Sequence, residues 1–243
     1  MSVSNPALVA VCACASLLLL WLSLHLRRRH RLLADLPTSK VHGVFIGLME
    51  LKGTAESEAP LRSHLAESSC VHYAFEVQEQ WSRTVTETYT DKDGRMQTRT
   101  RHESGWTTVA QGSETQAFYL RDDTGVILIR PEGAKLEPLT VFDETVSRGH
   151  ALYYAKGPPH SVADSDQRRR FVEHALPLHG PLYIVGQARE RADIVAPEIA
   201  RAPDVPLFLI TARTEQSVQT RHAVWSWVWW ALGLAAAAGA AFA

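Results

Sequence analysis

The sequence predicts a mainly β soluble domain, a bent sheet or partly closed barrel with one or two short helices, flanked by two transmembrane α-helices. Three observations predict it. Uncharged apolar runs occupy residues 7–26 and 223–243, each long enough to cross a hydrocarbon core of roughly 30 Å as a helix. Between them apolar residues recur mostly with period two, as on a half-buried strand. Asp- and Gly-containing turns separate the extended runs.

After a short tail, 1–6, the first run must be either a signal peptide or a retained anchor. Signal peptides carry basic residues before the apolar stretch and small residues at a cleavage site after it. Here no Lys or Arg precedes Ala7, and Arg27, Arg28, Arg29 and Arg31 follow Leu26, which favours an anchor. Cys12 and Cys14 lack a basic leader, and Val11 is a poor residue before a modified Cys, so both read as small helix-packing residues rather than lipidation sites. Residues 27–39 form a basic juxtamembrane linker, and 216–222 link the central domain to the second run. That run opens with Trp225, Trp227, Trp229 and Trp230, an aromatic belt suited to a membrane interface. Positive charge on the central-domain side of both runs, including Arg213 and Arg221, places that domain in the cytoplasm and both termini across the membrane.

Composition bounds the rest. A formal net charge of −1 among 243 residues argues against a nucleic-acid partner, because such domains are usually strongly basic. Only Cys70 lies in the central stretch, 40–215, so an internal disulfide and a cysteine-rich zinc site are excluded there and the fold must rest on a packed core.

Val71, Tyr73, Phe75 and Val77 alternate with His72, Ala74, Glu76 and Gln78, giving a strand with one core face and one wetter face that carries His72. A threonine-rich run, Thr84, Thr86, Thr88 and Thr90, leads into Asp91–Gly94. There Gly accepts positive φ and Asp caps a turn. Residues 95–101 alternate again, so a long polar hairpin projects, with Arg95, Arg99 and Arg101 near Glu87 as cross-strand partners. A second hairpin runs from 117–120 through Asp122, Asp123, Thr124 and Gly125 to 126–130. Further strands are expected at 182–186 and 207–210. A short helix is expected from Asp166 through Arg168 to Leu176, stopping before Pro177.

Cys70 with His72 is the strongest nucleophile-and-base pair, since positions i and i+2 of a strand share a face. A buried small residue at a strand start explains Cys70 without chemistry, and no catalytic residue is assigned. His150, His160, His174 and His179 are scattered, and no H-x-E, H-E-x-x-H or C-x-x-C spacing occurs. No metal, cofactor or phosphate-binding loop is therefore expected. Asp122 and Asp123 read as turn caps.

Several blocks together resemble a family. Gly43 and Gly47 in an opening strand, then Pro60, Leu61, Arg62 and Ser63, then Cys70, His72, Tyr73 and Glu79, are similar to the start of the GIDE domain, also called the BAM ("beside a membrane") domain. The resemblance continues through Trp106, through Phe118, Asp123, Gly125 and Pro131, and through Glu173, Gly180, Tyr183 and Gly186. The family's best-known members are mitochondrial membrane-anchored ubiquitin and SUMO ligases that carry this domain between two spans and a RING finger beyond the second. A RING needs eight Cys and His ligands for two zinc ions, and this sequence ends inside its second apolar run. The resemblance thus implies a membrane-anchored recognition or scaffold part of a ligase-like system, acting on a protein or small ligand near the bilayer. Two other readings stand beside it: a component that works only with a separate catalytic subunit, and a Cys70-dependent hydrolase. Homo-oligomers through the Ala- and Gly-rich runs are also compatible with the sequence.

Overall fold

The structure, a computed structural model, describes Trp21 and residues 38–90, 92–203, 205 and 207–212. The runs 7–26 and 223–243, Trp21 excepted, and the linker 216–222 lie outside the described residues. Within the described residues no helix is long and apolar enough to cross a membrane.

Two β assemblies make up the described chain. In order, the strands are β1 (Thr38–Ser39), β2 (Gly47–Glu56), β3 (Leu61–Arg62), β4 (Ser69–Thr90), β5 (Met96–Thr115), β6 (Phe118–Arg121), β7 (Val126–Ile129), β8 (Lys135–Glu137) and β9 (Leu139–Ser147). After helix α1 (Ala151–Ala155) come β10 (Ser165–Pro177), β11 (Pro181–Glu190), β12 (Pro197–Ala200) and β13 (Leu209–Thr211).

The first assembly closes on itself. β2 pairs with β6, β6 with β7, β7 with β12, β12 with β11, and β11 back with β2, forming a five-stranded barrel. Closure removes the free edges that an open sheet leaves. Inward alternation fills it: Met49, Leu51 and Ala55 from β2, Leu182, Ile184 and Ala188 from β11, with Phe118, Leu120, Ile127, Ile129 and Ile199. β11 is apolar on both faces because its outward residues Tyr183 and Val185 pack on Leu209 of β13, which pairs with β11 beyond β12. Close approach is built into two glycines. A Cβ on Gly53 would sit 2.2 Å from the Arg121 carbonyl oxygen, and one on Gly186 would sit 2.7 Å from Ile199 Cγ2.

Strand directions give the barrel two distinct ends. β2, β7 and β12 run one way and β6 and β11 the other. One rim therefore gathers segment 44–46, turn 122–125 and loop 191–196. The opposite rim receives the chain from the second assembly.

That second assembly is an open sheet, β3-β4-β10-β9, with β5 on the same edge of β4 as β3. Its core is Leu65, Val77 and Phe171 with Phe75, Val109, Phe142 and Val146. Val71 and Leu176 reach into the barrel core, so the two assemblies share apolar packing.

Three expectations are corrected. Residues 166–176 form strand β10, not a helix. Arg169, Phe171, Glu173 and Ala175 all point inward and are fully buried, but two of the four are charged, which conceals the period of two. The short helix is instead α1, capped by the His150 ring nitrogen that accepts from the Leu152 N–H at 3.3 Å. Gly43 lies in a 3-10 turn, Val41–Gly43, rather than a strand, held because Val41 N–H donates to the Asp122 carboxylate and His42 N–H to the Thr124 hydroxyl. His72 is buried, not wet, since β5 covers the edge of β4 where it stands. β1, inside the expected linker 27–39, pairs in parallel with Glu50 and Leu51 of β2.

Candidate functional site

Cys70, the second residue of β4, pairs with Leu61 of β3 on one side and with Pro177 of β10 on the other. It is fully buried, and its thiol contacts the Leu61 carbonyl oxygen at 3.7 Å. Burial, followed by the nearby Glu173 and Glu114 carboxylates, pushes the Cys70 thiol up to about 11. At neutral pH it is a protonated thiol, the poorly nucleophilic form. His72 Nδ1 lies 2.7 Å from Thr115 Oγ1 and 3.1 Å from the Glu114 carbonyl oxygen, and burial pulls its imidazole below the usual range. β5 thus holds the ring through Nδ1.

Beside Cys70, Glu173 of β10 accepts hydrogen bonds from the Leu65 and Ala66 N–H groups at 2.9 and 2.8 Å. It fastens the loop between β3 and β4, within which Ser63 Oγ accepts from the Ser68 N–H. Leu61, Ser63, Cys70 and Glu173 come together here. Other positions from the resemblance are dispersed: Phe118 and Gly186 in the barrel wall, Tyr183 donating to Glu50 at 2.7 Å, Asp123 on Lys40 at 2.5 Å, Gly125 in the 122–125 turn, Gly180 in the turn before β11, Pro131 buried, and Gly47, Pro60, Tyr73 and Trp106 partly or fully exposed. They mark turns, close approaches and packing, not one pocket.

The strongest buried polar constellation was not singled out from the sequence. Arg169 and Glu79 are both inaccessible to solvent and pair at 2.9 Å. All five guanidinium N–H donors are used. Nε and Nη2 donate to Glu79 Oε2 at 3.0 and 2.9 Å, Nη1 to the carbonyls of Tyr153 and Pro158 at 2.8 Å each, and Nη2 also to the His160 carbonyl at 3.0 Å. The guanidinium lies 4.0 Å from the centre of the Tyr153 ring, and the Tyr153 hydroxyl donates to Glu79 Oε1 at 3.0 Å. Burial pushes Glu79 upward, but hydrogen bonds from Ser165, Arg169 and Tyr153 outweigh it and hold the carboxyl below its usual range. Saturated in this way, the cluster clamps α1 and its following loop to the sheet. It offers no open position for a substrate.

The exposed candidate is the long hairpin. β10 pairs with β4 only as far as Trp81, so 82–90 and 96–104 continue as a ribbon of two strands extending roughly 30 Å. The pairing register separates its faces. One face carries Arg83 opposite Glu103, Val85 opposite Arg101, Glu87 opposite Arg99, and Tyr89 opposite Gln97. The other is a hydroxyl ladder of Ser82, Thr84, Thr86, Thr88 and Thr90 against Ser104, His102, Thr100, Thr98 and Met96. Glu103 is the anchor: Arg83 donates to it twice, at 3.0 and 2.8 Å, and Arg101 also pairs with it. Those bonds, Arg101 first, hold the Glu103 carboxyl below the usual range. The sequence had pointed to Glu87, which does stand opposite Arg99, but Glu103 binds two guanidiniums. Where the ribbon joins the sheet, aromatic rings cover glycines across the strand. Trp81 lies against Gly105 and Phe75 against Gly112, a device that repairs the weak packing of a strand glycine.

Within the described residues no three His, Cys, Asp or Glu side chains form a metal-ligating group. A family model described as "GIDE: E3 Ubiquitin ligase" matches residues 86–242, more than half of the chain. The matched stretch starts on the first ribbon strand, so the earlier blocks from Gly43 to Glu79 lie outside it. No curated protein matches the chain, and no solved structure does.

Proposed function

The chain belongs to the GIDE family, whose model carries the description E3 ubiquitin ligase, and from its ubiquitin-ligase-related character we propose that it is a membrane-anchored recognition and scaffold component. In this reading the runs 7–26 and 223–243 span a bilayer and the β domain faces the cytoplasm, where it holds a partner protein. The 243 residues carry three cysteines, too few for the ligands of a RING, so these residues supply anchoring and recognition and the transfer step lies outside them. The observation that carries the reading is the free ribbon, 82–104. A hairpin needs no such length to close a sheet, and it displays paired charge on one face and hydroxyls on the other, with little apolar surface of its own to bury.

Joining Ser82 to Ser104 through a two-residue turn tests this. The shortened protein should keep its circular dichroism and resist carbonate extraction from membranes, yet lose the partner that copurifies with the intact protein from detergent-solubilised membranes. Undiminished recovery of that partner would remove the ribbon as the recognition element. A reporter fused after Ala243 should be active only on the side opposite the β domain.

A further inference from the structure

Exposed apolar side chains are concentrated at one end of the barrel. Phe45 and Ile46 are 64% and 61% exposed, Val126 51%, Ile194 53% and Val195 fully exposed. They come from the three segments that meet on the same rim. Gly47 pairs with Ala188, so 44–46 run beside the end of β11, and β12 starts beside the start of β7. Single exposed apolar residues are ordinary, but a contiguous group on neighbouring loops marks an interaction surface.

We propose that this rim inserts into the interfacial layer of a lipid bilayer, so that the barrel stands on the membrane with the open sheet and its ribbon directed away. The inference rests on the anchoring read above.

Two observations favour a bilayer over a protein. First, the connection toward the first apolar run leaves the barrel on the side of this rim, because β1 runs parallel to β2 and is entered from the Gly47 end. Thr38 stands level with Glu50, three residues above Gly47. At the other end β13 is antiparallel to β11, so the chain passes Thr211, level with Tyr183 and Lys52, heading away from the rim. Second, the rim is electrically neutral. Lys40, Arg121, Arg130, Arg189 and Arg191 are matched in number by Asp122, Asp123, Glu190, Asp193 and Glu198, and Lys40 with Asp123, Arg191 with Asp193, and Arg130 and Arg189 with Glu198 are paired directly. Short aliphatic and aromatic tips on a neutral base suit shallow burial among headgroups, where apolar area drives binding.

The test uses the full chain with Cys12→Ala, Cys14→Ala and Val195→Cys, labelled with an environment-sensitive fluorophore and reconstituted in phosphatidylcholine–phosphatidylglycerol vesicles. The buried Cys70 stays unlabelled. Asp93→Cys in the ribbon turn is the control. The label at position 195 should emit at shorter wavelength, be quenched by nitroxide lipids and be several-fold less accessible to aqueous iodide than the label at 93. If it reports water while the chain resists carbonate extraction, the rim proposal fails and the anchoring reading stands. If carbonate strips the chain from the vesicles, the anchoring reading fails and the rim proposal falls with it. A blue shift that grows with protein density but ignores nitroxide lipids would assign the rim to a second copy of the chain and overturn the proposal.

Discussion

Replacing Arg169 with Met tests whether the Glu79–Arg169 cluster holds the second sheet together. The substitution keeps much of the side-chain volume and removes every donor. It strands the inaccessible Glu79 carboxylate without its counter-charge and leaves the carbonyls of Tyr153, Pro158 and His160 without their donor. Breaking one side of a buried pair typically costs 3–5 kcal/mol, so about 4 kcal/mol is expected, a large share of a domain stability on the order of 5–15 kcal/mol. Arg170, its neighbour, pairs with Asp143 at 2.7 Å in the open, and Arg170→Ala should leave stability nearly unchanged because solvent screens such a pair. Urea unfolding in detergent, followed by far-UV circular dichroism, measures both. Arg169→Met combined with Glu79→Gln should recover part of the loss by removing the stranded charge. The pH dependence adds a second sign. In the native protein Glu79 lies below its usual range, so its contribution is present above the unfolded carboxyl range and is lost as pH falls through the folded value. Without Arg169 the hydrogen bonds by which it lowers Glu79 are lost while the upward push of burial remains, so Glu79 rises relative to the native protein and the deficit of the variant should shrink on acidification. Equal stabilities for Arg169→Met and Arg170→Ala at pH 7 would refute the clamp.

Gly53→Ala pushes a methyl group against the Arg121 carbonyl, 2.2 Å away, and should destabilise the barrel by about 3 kcal/mol, measured as a lowered urea midpoint with an unchanged slope. Glu173→Ala removes the acceptor of two backbone N–H groups and should cost about 3 kcal/mol. Hydrogen exchange should locate the opening in 63–68. Cys70→Ser should fold and retain partner binding, and native Cys70 should resist iodoacetamide at neutral pH, whereas rapid alkylation of folded protein would restore a nucleophilic role. Because the Cys70 thiol is raised to about 11, its stabilising contribution is complete below about pH 9 and disappears as pH climbs to about 11, a loss that Cys70→Ser should lack.

How much was legible followed from how each strand advertises its faces. The 117–130 hairpin and β11 were readable because their inward residues are apolar and their turns carry Asp and Gly. β10 was misread because Arg169 and Glu173 point inward, and only the partners Glu79 and the Leu65–Ala66 N–H groups make those positions tolerable. Nothing in the sequence pairs residues 79 and 169. The ribbon was expected and Glu87 was placed near Arg99 from spacing, yet Glu103 was passed over because it lies beyond 95–101, the stretch whose alternation was read. Barrel closure stayed out of reach since the β2–β11 seam joins segments remote in the chain, and the parallel β7–β12 and β8–β13 pairs leave no hairpin signal.

That seam also dictates an order of events during synthesis. Glu50 and Tyr183, which meet across it, are separated by 133 residues. At roughly 5–20 residues per second the second half of the seam leaves the ribosome on the order of ten seconds after the first. The hairpin of β4 and β5, a local pairing, can zip within microseconds, long before the barrel has all its staves. Non-local closure is the slow step in such topologies. The nascent chain therefore displays its ribbon while β2 still waits with an unsatisfied edge, and whatever binds the ribbon can do so on a half-made protein.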